Sequence, residues 1–106
     1  MTPTSDTIES KLNMQGVHVE LTEAMRATIT RKFAPVLQHG EPIVRINFRL
    51  HMDQSMGRQH HFTATAQAEI GGPDLIASAE GKDAYRAIDD VADMLNRQVQ
   101  ERGGRR

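Results

Sequence analysis

The sequence predicts an α+β domain with the element order β-α-β-β-β-α, in which two helices pack on one face of a four-stranded mixed sheet. Two observations predict this fold: three segments alternate apolar with polar residues, as strands do, and two others repeat apolar residues at helical spacing. Because the outward positions of the strands are polar, the sheet should be covered on one side only. Each helix has a single apolar stripe, so both helices should lie on that covered side.

The first half of the chain provides a strand, a helix and a crossover. Residues 12–15 alternate between apolar and polar and predict a short strand that ends at Gly16. Thr22 is a favourable N-cap for a helix over 22–37. Pro35 should kink that helix or end it early, because proline has no N–H to donate. The crossover should be right-handed and should pair the strands on either side of it in parallel.

The second half provides a three-stranded meander and a long helix. The clearest alternation in the chain predicts a strand whose inward residues are Val44, Ile46, Phe48, Leu50 and Met52. Two further strands, over 62–70 and 75–80, follow after turn-forming residues. From Lys82 the apolar spacing becomes helical, and it ends at the glycines 103 and 104.

Length and composition predict a single domain and exclude several kinds of functional site. It has 106 residues, 13 Lys and Arg against 14 Asp and Glu, a net charge of −1, and no cysteine. A chain of this length buries a core without disulfides, and the lack of cysteine excludes thiolate metal sites and thiol nucleophiles. We expect a flexible tail over 1–10, a single domain over 11–102 and a basic tip over 103–106. No segment resembles a membrane span or a signal peptide, which favours the cytoplasm.

Enzymatic and metal-binding functions find little support in the sequence. It has no glycine-rich phosphate loop, no metalloprotease helix motif and no serine in a motif that predicts activation by a base. If the hairpin pairs residues whose numbers sum to 112, His51 faces His61 on the open side of the sheet. Two imidazoles alone make a weak metal site, and solvated strand residues are the better interpretation. We therefore expect no catalysis, no cofactor, no metal and no small-molecule substrate.

The distribution of charge says more than the net charge. Residues 23–37 carry a net +2, residues 82–93 a net −2, and residues 94–106 a net +3. The basic side chains that could grip an RNA backbone are Arg26, Arg31, Lys32, Lys82, Arg86, Arg97 and Arg102. The competing interpretation is an ordinary solvated helix, because Arg86 and Arg97 each have an aspartate one helical turn away.

The open face of the sheet offers a second possible RNA platform at Arg45 and Arg49. Sheets that bind single-stranded RNA usually stack bases on aromatic side chains. The three phenylalanines all fall on predicted inward positions, which argues against such stacking. Any RNA binding should therefore depend on phosphate contacts and shape.

Two segments of the chain resemble the helices of a known family. The first reads Val19-Glu20-Leu21-Thr22-Glu23-Ala24-Met25-Arg26, then Lys32-Phe33-Ala34. The second reads Ala77-Ser78-Ala79-Glu80-Gly81-Lys82-Asp83-Ala84-Tyr85-Arg86-Ala87-Ile88-Asp89, followed by Leu95 and Arg97-Gln98. They resemble the first helix and the second-helix signature of the bacterial ribosome hibernation promoting factor and ribosome-associated inhibitor family. The resemblance covers about residues 12–102 and preserves the element order.

The resemblance implies a non-catalytic, ribosome-binding domain similar in its later part to double-stranded RNA-binding domains. Members of the family bind the small ribosomal subunit in the channel used by mRNA and tRNA, and so inhibit translation in stationary phase or stress. Because the chain stops soon after the second helix, it resembles the short form of the family. It should be monomeric when free, with the small subunit and its ribosomal RNA as partners.

The resemblance carries over to only some of the basic residues. Arg26, Lys32 and Arg97 match the family pattern, whereas the other candidates come from the charge argument. The chain departs from the family at Pro35 and Met94, where members commonly have lysine. The alternative interpretation is a protein-interaction module of the same fold, with the polar open face of the sheet meeting a protein partner.

Overall fold

The computed structural model describes residues 11–38, 43–53 and 61–103, which contain four strands and two helices. In chain order the elements are β1 (Leu12–Val17), α1 (Glu23–Leu37), β2 (Ile43–Asp53), β3 (His61–Ile70), β4 (Leu75–Gly81) and α2 (Ala84–Gly103). The strands form one sheet in the order β1-β2-β3-β4, with β1 parallel to β2 and the other pairs antiparallel. This mixed sheet and element order confirm the predicted fold. The predicted tail over 1–10 and residues 104–106 of the predicted tip lie outside the described residues.

The core lies between the two helices and one face of the sheet, as the single apolar stripes predicted. The largest fully buried side chains are Phe33, Phe48, Ile29, Ile46, Leu50, Ile88, Leu95, Val36, Val91 and Val99. Helix α2 packs on β3, β4 and α1, over the small buried side chains of Ala64, Ala66 and Ala68. Helix α1 contacts β2 through an edge-to-face pair between Phe33 and Phe48, with ring centroids 5.7 Å apart. Among the described residues, no helix is long and apolar enough to span a membrane.

The first residues of β2 depart from the predicted alternation. The pairing of β2 with β3 shifts between Ile43 and Arg45, so Val44 is an extra residue in a bulge. Val44 is 61% exposed, whereas Ile43 is buried. The inward position predicted for Val44 is therefore wrong, because the bulge changes which of two adjacent apolar residues faces the core.

The register of the β2–β3 hairpin also differs from the prediction. His51 pairs with Thr63, and Asp53 pairs with His61, so paired residues sum to 114 rather than 112. The connecting residues 54–60, including the predicted turn at 54–57, lie outside the described residues. Because the shift is by two, the same residues still face the open side. The predicted opposition of His51 and His61 is nevertheless wrong.

Both helices begin at a side-chain cap. Thr22 accepts a hydrogen bond from the backbone N–H of Met25 at 3.1 Å, and Asp83 accepts one from that of Tyr85 at 3.0 Å. Helix α2 thus begins after Asp83 rather than at Lys82. Helix α1 ends at Leu37, as the predicted range of 22–37 has it, and continues through Pro35. The early end, which was the alternative to a kink at Pro35, is therefore wrong: proline removes its own N–H bond, but Gln38 still donates to the backbone oxygen of Ala34.

A tight turn carries the chain from β1 into α1. Gly16 has no room for a side chain, because a Cβ atom there would lie 2.3 Å from the carbonyl oxygen of Val19. His18, two residues later, has a φ of 60°, in the left-handed region that few residues other than glycine adopt. This turn sets the distance between β1 and α1, and hence the shape of the space between them.

Candidate nucleic-acid interface

Two of the predicted basic residues lie beside an open cleft between α1 and β1. The cleft has a volume of about 690 Å³ and is lined by Leu12, Asn13, Met14, Arg26, Ala27, Thr30 and Arg31. Arg26 and Arg31 are exposed, and neither forms an ion pair or side-chain hydrogen bond with the described residues. An anion could therefore reach their guanidinium groups without breaking a contact to the part of the chain that the structure describes.

Lys32 lies on the opposite flank of α1 and is already paired. Its Nζ is 2.7 Å from Oδ1 of Asp89 on α2, and the two side chains are 37% and 52% exposed. This ion pair ties the two helices together across their outer edge. Lys32 therefore lies on the α2 side of α1, whereas Arg26 and Arg31 line the cleft beside β1, although all three were predicted to contact RNA.

The outward arginines of α2 are also paired, along the helix itself. Nε of Arg86 lies 3.6 Å from Oδ1 of Asp90, and Nη2 of Arg97 lies 2.6 Å from Oδ2 of Asp93. Both pairs have the (i, i+4) spacing of a solvated helix, as the competing interpretation of these residues predicted. Each guanidinium keeps N–H groups that its aspartate does not occupy, so an RNA phosphate would share the arginine with the nearby carboxylate.

The last two candidates lie at opposite ends of α2. Lys82 is exposed just before the helix begins. Arg102 is half-buried near its end, and its Nη2 donates a hydrogen bond to the backbone oxygen of Pro73 at 3.4 Å. Together with a 3.0 Å bond from Nε2 of Gln98 to the oxygen of Ile76, this contact fastens α2 to the β3–β4 turn and β4. The seven predicted residues therefore do not form one patch.

The open face of the sheet carries a hydrogen-bonded row of amides and carboxylates. Nδ2 of Asn47 donates to Oε2 of Glu69 at 2.8 Å, and Nε2 of Gln67 donates to Oδ2 of Asp74 at 2.7 Å. Arg45 and Arg49 are exposed on the same face, as predicted. Phe33 and Phe48 are buried and Phe62 is half-buried, which leaves none of the three on this surface.

The histidines of β2 and β3 have separate partners. Nε2 of His61 lies 2.6 Å from Oε1 of Glu80 on β4. The ring of His51 packs edge-on against that of His18, with centroids 5.5 Å apart. Among the described residues, no three metal-ligating side chains converge on one point. The separation of these histidines follows from the hairpin register.

The two halves of the chain differ in how their arginines are paired rather than in net charge. We define the first half as the described residues of 11–53, which hold β1, α1 and β2, and the second half as 61–103, which hold β3, β4 and α2. Over the full sequence, residues 1–53 have six basic and six acidic side chains, and residues 54–106 have seven and eight, so the net charges are 0 and −1. The strand order places the two halves side by side.

The fold and the exposed arginines define a small α+β domain with basic side chains on both of its helices. Residues 12–106 match the Sigma 54 modulation protein / S30EA ribosomal protein family. The chain belongs to this family, which is a family of non-enzymatic, ribosome-binding factors.

Named relatives and solved structures agree with this membership. The chain is 37% identical to the ribosome hibernation promoting factor of Escherichia coli K12, over 84% of this chain and 88% of that protein. It is 34% identical to that of Pseudomonas putida KT2440, over 86% and 84% respectively. Its fold is similar to that of a ribosomal subunit interface protein from Coxiella burnetii, with a TM-score of 0.75, 20% identity and coverage of 88% of this chain and 97% of that one. It is also similar to the N-terminal domain of Thermus thermophilus Protein Y, with a TM-score of 0.65, 25% identity and coverage of 84% and 93%.

Proposed function

We propose that this protein is a ribosome hibernation factor that binds the small ribosomal subunit in the mRNA and tRNA channel and inhibits translation in stationary phase or stress. The observation that carries this proposal is the 37% identity to a ribosome hibernation promoting factor over most of both chains. We further propose that the protein acts in the cytoplasm and is a monomer when free.

The mechanism we propose is steric. A domain whose helices and sheet share one core is rigid. It therefore excludes mRNA and tRNA from the space that it occupies in the channel. Its basic side chains hold it there through charge-assisted hydrogen bonds to phosphate oxygens. The candidates for these contacts are Arg26, Arg31, Lys32, Lys82, Arg86, Arg97 and Arg102.

The test is co-sedimentation of the purified protein with ribosomes and with isolated small subunits, at low salt and then at raised salt. Each neutralised phosphate releases counterions, so the logarithm of the affinity should fall linearly with the logarithm of the salt concentration. Binding should also reduce the occupancy of mRNA and tRNA. A protein that stays at the top of the gradient at low salt would refute the proposal and favour a protein-interaction module.

A further inference from the structure

We infer that His18 and His51 form a binding site for a divalent transition-metal cation such as Zn²⁺. The site lies at the corner of the sheet where the turn after β1 meets β2. The sequence pointed to His51 and His61 as a possible pair, but the structure brings His18 to His51 instead. The inference goes beyond the proposed function and does not depend on it, because its test measures the binding of a metal ion.

The first argument is the distance between the two imidazole rings. Their centroids are 5.5 Å apart, and their planes make an angle of 70°. With Zn–N bonds of about 2.0–2.1 Å, two imidazoles on one tetrahedral ion have their centroids roughly 5 Å apart. The torsion that turns a histidine ring about its Cβ–Cγ bond is soft. The backbones of the two residues therefore already lie at the separation that a shared ion needs.

The second argument is the way the backbone brings the rings together. His51 pairs with Val17 on β1, and His18 is the next residue after Val17. In an extended strand, successive side chains point to opposite faces, so His18 would point away from His51. The left-handed conformation of His18, with a φ of 60°, interrupts this alternation. Its ring consequently contacts that of His51.

The third argument is the pocket around the two rings. It is open, has a volume of about 510 Å³ and is lined by His18, His51, Met52 and Asp53. Asp53 follows His51 by two residues on β2, so both side chains leave the same face of the sheet. Its carboxylate adds negative charge that attracts a cation. Because no three ligating side chains converge among the described residues, water would fill the remaining positions on the ion.

The class of the ion follows from the ligands. Imidazole nitrogen suits Zn²⁺, Cu²⁺ and Ni²⁺, whereas Mg²⁺ and Ca²⁺ prefer oxygen ligands. His18 is exposed and His51 is half-buried, so an ion can reach the rings from solvent. His61 differs from this pair, because its Nε2 lies 2.6 Å from Oε1 of Glu80. It therefore provides a histidine of the same sheet that is not part of the site.

The first experiment titrates the full chain, without a histidine tag, with Zn²⁺ in a calorimeter. We expect one ion to bind per chain. Because the ion joins the turn after β1 to β2 only in the folded state, it should also stabilise the fold. At free Zn²⁺ about 100-fold above the dissociation constant, the midpoint of urea unfolding should rise by about 1 M or more. Mg²⁺ at the same concentration should leave the midpoint unchanged, and a chain that does not bind Zn²⁺ would overturn the inference.

The second experiment locates the ion with three variants. His18→Asn keeps a residue that tolerates the left-handed conformation, and His51→Gln keeps a polar side chain on β2. Each should weaken Zn²⁺ binding at least tenfold, since even the loss of a group that only orients a ligand costs roughly 10–100-fold. His61→Gln is the matched control and should leave the affinity unchanged. Urea unfolding without Zn²⁺ verifies that all three variants fold.

The outcomes separate this inference from the proposed function. Binding that survives in His18→Asn or in His51→Gln would overturn the shared site, and so would an equal loss in His61→Gln. A chain that sediments with small subunits but does not bind Zn²⁺ would keep the proposed function and lose the metal site. A chain that binds Zn²⁺ through both histidines but does not bind ribosomes would support the metal site alone.

Discussion

The two halves of this molecule share one core and nearly the same net charge, but they differ in how their arginines are paired. In the second half, Arg86 and Arg97 are matched by aspartates one turn away on α2. In the first half, Arg26 and Arg31 are exposed and form no ion pair with the described residues. The comparison teaches that the pairing of basic side chains can differ between two surfaces even where the net charge does not.

The strongest test of the shared core removes one buried side chain from each half. Ile29 on α1 and Leu95 on α2 are both fully buried, and substitution by Ala should lower the free energy of unfolding by about 2–5 kcal/mol in each case. Because both residues belong to one core, each variant should unfold in a single transition at a lower denaturant concentration. Circular dichroism and fluorescence of an extrinsic dye should give coincident curves. Two separate transitions would show that the halves unfold independently.

The same glycine substitution should have different effects on stability in the two halves, because the space around the two glycines differs. Gly16→Ala places a Cβ against the backbone oxygen of Val19, and such overpacking should cost about 1–3 kcal/mol. Gly81→Ala, in the other half, meets no atom within 4 Å and serves as the matched control. Chemical denaturation should therefore rank Gly16→Ala well below Gly81→Ala. Equal stability would mean that the turn after β1 relaxes without cost.

Removing two carboxylates from α2 tests whether ion pairing limits the contact of its arginines with RNA. Asp90→Asn with Asp93→Asn frees Arg86 and Arg97 from their carboxylates. We expect ribosome affinity to rise about two- to threefold because overall repulsion falls, with no change in the salt slope. Glu101→Gln removes one carboxylate that pairs with neither arginine, so it should give a smaller rise. A slope that rises by roughly two for the double variant would show that the pairing limits these contacts.

The smallest expected effect concerns the ion pair that joins the halves. Lys32 and Asp89 lie 2.7 Å apart, but both side chains are more than a third exposed, so solvent screens most of their attraction. A double-mutant cycle with Lys32→Ala and Asp89→Ala should give a coupling below about 1 kcal/mol. A larger coupling at raised salt would contradict this screening.

The sequence predicts which helices and strands form better than it predicts the register between strands and the residue at which an inward-facing series begins. Alternation places Phe48, Leu50 and the alanines of β3 on the covered face, where the structure has them. It places Val44 there wrongly, because Ile43 and Val44 are both apolar and either could begin the inward series. The hairpin register depends on how many residues form the connection, which periodicity does not determine.

The candidate site was predictable where its contacts are local. The spacing of Arg86 to Asp90 and of Asp93 to Arg97 predicts their pairing, since residues four apart on a helix are neighbours. The pairing of Lys32 with Asp89 spans 57 positions in the sequence and depends on how the helices pack. The cleft between α1 and β1 likewise exists only once the turn at Gly16 has set its width.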